Sequence, residues 1–216
     1  MSNFVYHDVE QNSDEWFQLR AGKLTSSNIA KVMANEGKAF GEPAKKLAVV
    51  LAVERLTGQP TGEGYSNEHM ERGHEQEPLA RMLYEETQFT VVQNGGFFDC
   101  GDQGCSPDGL VGEAGLIEIK SAIPSIHYAR VKRGTVDPAY KWQCVMNLEK
   151  TEREWLDFIS YCHDYPEGKR LFIYRLWRGH VEDEAKRLRD RIRQFTELVD
   201  ETTARIETGT YEVLAA

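Results

Sequence analysis

The residues best suited to chemistry lie in one short stretch, S-P-D-G-L-V-G-E-A-G-L-I-E-I-K, at positions 106–120. Asp108 follows a proline, and the ten-residue step to Glu118 leaves room for a strand, a turn and a returning strand that brings both carboxylates together. Glu118 and Lys120 alternate on one face of an otherwise apolar segment. An acid flanked by Ile117 and Ile119 is costly to bury unless something compensates it. A divalent cation compensates two carboxylates well, and oxygen ligands select magnesium, with manganese as a substitute. A neighbouring lysine then suits positioning water or neutralising phosphate charge in a transition state. The plainer alternative is a solvated Glu–Lys pair beside an ordinary Ser-Pro-Asp-Gly turn. Glu-x-Lys alone does not separate the two; the longer Asp-x9-Glu-x-Lys pattern is the more specific signal.

The surrounding periodicity indicates which elements must hold these residues. CSPDGLV and GLIEIK read as a hairpin joined around Gly112 to Gly115. Leu116, Glu118 and Lys120 share one face of its second strand, and Ile117 and Ile119 the other. Upstream, Ser13 caps a short helix with Trp16, Phe17 and Arg20 that stops at Gly22. Thr25 or Ser26 caps the next, with Ile29, Val32 and Met33 inward. Pro43 opens a helix whose apolar run ends at Gly58, and a segment from about Ser66 to Gln88 is interrupted by Pro78, predicting a kink or a join of two helices. Downstream, Pro124 opens a helix ending at Gly134. Asp137-Pro138 is read as the cap and first turn of another, carrying Tyr140, Gln143, Cys144 and Leu148. EWLDFISY and LFIYRLW read as strands, and Glu184 to Ile206 as an amphipathic helix. The expectation is a mixed α/β (α+β) fold, a small mixed sheet flanked by helices, in a single domain over 1–216.

The chain has 216 residues, with 26 basic against 35 acidic side chains, a net charge of −9. Binding of nucleic acid by bulk positive charge is therefore excluded, and any such role needs localised charge. Lys120, Arg130, Lys132, Arg133, Lys141 and Lys150 stand against only Asp137 and Glu149 in that interval, and are expected to form a positive wall beside the hairpin. Arg187, Arg189, Arg191 and Arg193 alternate with acids and are read as a solvated helix face. Cys100, Cys105, Cys144 and Cys162 have no zinc or iron–sulfur spacing. His69, His74 and His127 form no matched pair and are read as surface or partly packed; Met70, Met82 and Met146 are read as packing residues. The acidic N-terminus lacks a secretory pattern and no run is long enough to span a membrane, so a cytoplasmic protein with reduced thiols is expected.

P-D-G…E-I-K resembles the core motif of the PD-(D/E)XK nucleases, and its flanks resemble the lambda-exonuclease-type (YqaJ) viral recombinases. W-F-Q-L-R-A-G-K-L-T-S-S at 16–27 is similar to that family's W-x-x-x-R-x-G-x-x-T-x-S block, and R-G-H-E-Q-E-P-L-A-R at 72–81 to its G-x-x-x-E helix. W-Q-C-V-M-N-L at 142–148 resembles its Q-Y-x-M stretch. The resemblance implies that Asp108 and Glu118 bind metal with the Ile119 carbonyl, and that Glu77 is a helix-borne acid near the same site, with Glu75 its rival. It implies Lys120 as the catalytic lysine, Gln143 facing the scissile phosphate, and Arg20 with Ser27 holding a 5′-terminal phosphate. Where family members often carry a second glutamine, this chain has Lys141. The implied activity is magnesium-dependent 5′→3′ digestion of one strand of linear double-stranded DNA, leaving 3′ overhangs for recombination, with two ions roughly 4 Å apart. A toroidal homotrimer and a partner single-strand annealing protein are implied likewise. Two readings compete with this one: a structure- or sequence-specific endonuclease on the same core, and a DNA-binding module without catalysis.

Overall fold

The structure, a computed structural model, describes residues 4–61 and 68–209, with side chains from 75 onward in the second range. In chain order the elements are β1 (Val5–His7), α1 (Asp14–Arg20), β2 (Leu24–Thr25), α2 (Ile29–Met33), α3 (Glu42–Thr57), α4 (Glu68–Gln88), β3 (Val92–Gln93), β4 (Phe97–Asp99), β5 (Gln103–Cys105), β6 (Gly109–Val111), β7 (Gly115–Ser121), α5 (Pro124–Arg133), α6 (Lys141–Thr151), β8 (Trp155–Tyr161), β9 (Leu171–Trp177) and α7 (Glu182–Thr208). One sheet runs β3-β6-β7-β8-β9 and a smaller one runs β1-β4-β5-β2. The β6–β7 hairpin is antiparallel, with Leu110 opposite Leu116. Strand β8 lies parallel to β7 and places Phe158 beside Glu118 and Ser160 beside Lys120.

Alternation along β7 divides the core between the two faces of the larger sheet. Leu116 packs with Leu156, Phe158 and the apolar sides of α2, α3, α6 and α7. Ile117 and Ile119 face the other way, onto Ala80 and Tyr84 of α4. Period-2 patterning therefore yields a strand covered by helices on both sides, and Glu118 is carried into the interior with its apolar neighbours. Among the described residues, no helix is long and apolar enough to cross a membrane.

Several local expectations need correction. Helix α4 runs through Pro78 as one element, so of the kink or join expected there the join is not formed. Its inner face is held downstream by buried Ala80 and Tyr84, and the half-exposed stretch around Pro78 tolerates a missing donor. Helix α6 starts at Lys141, not at Asp137-Pro138. Asp137 instead closes a turn: its carbonyl accepts from the Tyr140 amide at 2.8 Å and its side chain from the Ala139 amide at 3.1 Å. The segment after β2 begins as a 3-10 turn over Ser26–Asn28, and neither Thr25 nor Asn28 caps it through its side chain. Met82 is exposed, whereas Met146 is fully buried. His127 is fully buried, bonded to Ser160 and packed on Tyr165. The side chains of His69, Met70 and His74 lie outside the described residues.

Candidate active site

The hairpin turn that carries Asp108 is built from several directions. Trp16 Nε1 of α1 donates to Ser106 Oγ at 2.8 Å, and Gln11 Nε2 donates to the Pro107 carbonyl at 2.9 Å. The chain passes so close at Gly95 that a Cβ there would stand 1.7 Å from the Pro107 oxygen, so only glycine fits. Asp108 then points its carboxylate across the hairpin, where Oδ2 accepts from the Ile119 amide at 2.6 Å. These contacts fix the Asp108 side chain on β7 beside the backbone of Ile119. Its carbonyl, the oxygen expected to serve as a ligand, belongs to that same residue.

Glu118 is fully buried, and three donors meet its carboxylate. Lys120 Nζ stands 2.5 Å from Oε1, Gln143 Nε2 donates to the same oxygen at 2.6 Å, and Asn147 Nδ2 donates to Oε2 at 2.8 Å. Gln143 and Asn147 are four apart and hence stacked on one face of α6. Sequence reading identified Gln143 and missed Asn147; the i, i+4 spacing of two amides was the signal available. Lys120 also lies 5.1 Å from the centre of the Tyr140 ring, a cation–π arrangement. Behind the strand, buried Arg130 donates to the Lys120 carbonyl at 3.1 Å, to Ser160 at 3.3 Å and to Asp137 at 3.0 Å.

The electrostatics are those of crowded acids. Burial first, then the charge of Asp108, pushes Glu118 up to about 8. Glu77 on α4 is raised to about 7 by the same two causes, while Lys120 and Arg81 pull the other way. Burial also raises Asp108, against the pull of Lys120 and the Ile119 amide. Burial acts to lower Lys120, but Glu118 and Asp108 outweigh it and hold the ammonium above its ordinary range. Glu75, the rival acid, is exposed. The strand, the hairpin turn and α4 thus bring Glu118, Asp108 and Glu77 within mutual electrostatic reach of one lysine. Among the described residues, no three His, Cys, Asp or Glu side chains stand close enough to form a ready-made metal cage. Lys120 is the cation that compensates Glu118 in this arrangement.

A second cluster forms at the end of α1. Arg20 stacks over the Trp16 ring at 3.8 Å and donates to Thr25 Oγ1 at 3.2 Å and Ser27 Oγ at 3.1 Å. Burial lowers its pKa yet leaves it a cation. Two hydroxyls and an arginine that, among the described residues, pairs with no carboxylate make a small anion cradle. The expected positive wall is less continuous. Arg130 is buried, Lys141 pairs with Glu184 at 2.9 Å and Arg133 reaches Asp137 at 3.9 Å, leaving Lys132 as its exposed member without an ion pair among the described residues. Arg191, expected to be solvated, is also buried: it donates to the Val32 carbonyl at 3.0 Å and covers the Phe40 ring.

With the geometry in place, comparison with known proteins is informative. An alkaline exonuclease (LHK-Exo) from Laribacter hongkongensis shares 30% identity, covers 92% of this chain and 100% of its own, and superposes with a TM-score of 0.75. Its complex with dAMP gives 0.76 at the same identity and coverage. A phage-related exonuclease from Haemophilus somnus 129PT, at 13% identity, covers 89% of this chain and 98% of its own with a TM-score of 0.64, a likeness of fold. No curated protein sequence matches the chain. The architecture is PD-(D/E)XK-like, mixed α/β, as the hairpin motif implied. A sequence model of the YqaJ-like viral recombinase domain matches residues 15–154, which include Arg20, Asp108, the Glu118–Lys120 pair and Gln143, and the chain belongs to that family.

Proposed function

We propose that this protein is a metal-dependent deoxyribonuclease that digests one strand of linear duplex DNA in the 5′→3′ direction. A 3′ overhang for recombination would remain. The observation that carries the reading is buried Glu118 held by Lys120 at 2.5 Å, with Asp108 tied at 2.6 Å to the Ile119 amide between them and Glu77 of α4 within electrostatic reach. The donor set is all oxygen, and two of its acids are raised by burial and mutual repulsion, which fits magnesium or manganese. Asp108, Glu118 and the Ile119 carbonyl would hold the metal, with Glu77 beside them, and the family resemblance favours two ions. Bound there, the metal would supply positive charge at the scissile phosphate and a more acidic water. Lys120 places a second positive charge at the same point, and Gln143 orients the Glu118 carboxylate while presenting its amide to the backbone.

Arg20, Thr25 and Ser27 give the reaction its polarity. A terminal phosphate carries more charge than an internal diester, and an arginine between two hydroxyls binds it best. One domain over 1–216, a homotrimer, a partner annealing protein and a cytoplasmic setting complete the proposal. The deciding experiment compares linear and closed circular duplexes with magnesium. The proposal expects degradation of the linear form alone. Nicking or linearisation of circles at a similar rate would favour an endonuclease, and binding without cleavage under any divalent ion would favour a binding module.

A further inference from the structure

Asn147 sits one turn beyond Gln143 on α6 and is fully buried. Its Nδ2 holds Glu118 Oε2 at 2.8 Å, the oxygen that neither Lys120 nor Gln143 touches. Its Oδ1 is buried and meets no donor. A buried amide retained for folding alone would satisfy both ends, because an orphaned acceptor is destabilising. The orientation is nevertheless forced. In the ionised form that metal binding requires, the Glu118 carboxylate only accepts, so turning the amide over would set oxygen against oxygen. Asn147 thus leaves one atom unsatisfied in order to bind Glu118.

We propose that Asn147 is a positioning residue that fixes the rotation of the Glu118 carboxylate. With Oε2 tied to α6, Oε1 is turned toward Lys120 and Gln143, the side on which substrate and metal must be met. Gln143 and Lys120 both act on Oε1, and Asn147 is the group that anchors the opposite oxygen, Oε2. The inference rests on the nuclease reading above. It assigns the packed face of α6 a part in aligning the site, beyond the amide expected to face the phosphate.

Asn147→Leu tests it, because leucine is of similar size and removes both the donor and the orphaned acceptor. The full-length variant should fold, melting below wild type by the loss of one bond to a buried acceptor, offset in part by removal of the orphaned oxygen. Its calorimetric affinity for manganese, measured without DNA, should fall by about threefold or more, and its turnover on saturating linear duplex by roughly tenfold, the range seen when outer partners of metal-binding carboxylates are lost. KM for DNA should stay within about twofold, as no DNA contact is removed. Unchanged manganese affinity, or a turnover loss matching a loss of folded protein, would overturn the proposal. Should Asn147→Leu fail to fold, Asn147→Ser keeps a short donor, and its manganese affinity should fall between wild type and the roughly threefold loss; wild-type affinity in that variant would overturn it. If the wild-type protein cleaves no DNA, the nuclease reading fails by itself, and the manganese affinities of wild type and variant still decide the role of Asn147.

Discussion

Lys120 carries the sharpest consequence of the site geometry. Its ammonium lies 2.5 Å from Glu118 and feels the charge of Asp108, so it stabilises the acids and, in the proposed reaction, would meet phosphate charge as it builds up. Lys120→Ala should cut turnover by roughly a hundredfold or more, in line with removal of one preorganised charge donor. DNA binding in calcium should survive. Cleavage within about threefold of wild type would remove the lysine from the mechanism. Arg20 makes a different prediction, about the end of the DNA. Wild type should prefer a 5′-phosphate over a 5′-hydroxyl end, and Arg20→Ala should lose most of that preference while slowing hydroxyl-ended DNA far less. Equal slowing on both ends, at one salt concentration, would make Arg20 a general backbone contact or a packing residue.

Helix α4 supplies Glu77, and its position on the sheet is fixed seven residues later on the same face. Tyr84 is fully buried and donates to Asp157 Oδ2 at 2.7 Å, while Arg175 grips both Asp157 oxygens at 2.8 Å. Asp157 is itself fully buried, so each of its hydrogen bonds is to a charged, water-excluded acceptor. Tyr84→Phe should therefore lower stability by about 1–3 kcal/mol. A denaturation midpoint equal to wild type would show that the tyrosine does not anchor the helix. The element-scale reading also explains the uninterrupted path through Pro78. A helix clamped at Ala80, Tyr84 and, through Arg81, at the Val92 carbonyl can absorb one missing backbone bond.

Across the molecule, an acidic protein sets several carboxylates in mutual electrostatic reach around one buried strand, and that couples stability to pH. Glu77 and Glu118 keep protons up to about 7 and about 8 in the folded state, whereas unfolded glutamates release theirs near 4.3. Between these limits the folded chain binds more protons than the unfolded one, so metal-free stability should fall as pH rises from about 5 to about 8. Magnesium, by favouring the ionised acids, should flatten that slope, and Glu118→Gln should flatten it without metal. Thermal melts in chelator at several pH values test this. A metal-free melting temperature that holds or rises across the window would count against the crowded-acid description.

Much of this was legible in the chain itself. Strict alternation in L-I-E-I-K, bounded by glycines, fixes a strand whose faces differ, and Ser13, Gly58 and Gly134 punctuate helices where capping chemistry requires. The four family blocks lie in order, so Asp108, Glu118, Lys120, Gln143, Glu77 and Arg20 could be nominated before any fold was seen. Sequence could not say which polar side chains would be buried. His127, Arg130, Asn147, Asp157 and Arg191 look solvated in one dimension, and become interior because partners elsewhere in the chain take up at least part of their hydrogen bonding. The same holds for the positive stretch after Lys120. Local charge counting makes it a wall, but Asp137 and Glu184 neutralise parts of it from separate elements. Periodicity and capping act within a few residues, so sequence determines them. Burial of a charge depends on a partner's arrival across the sheet, and only the tertiary structure decides that.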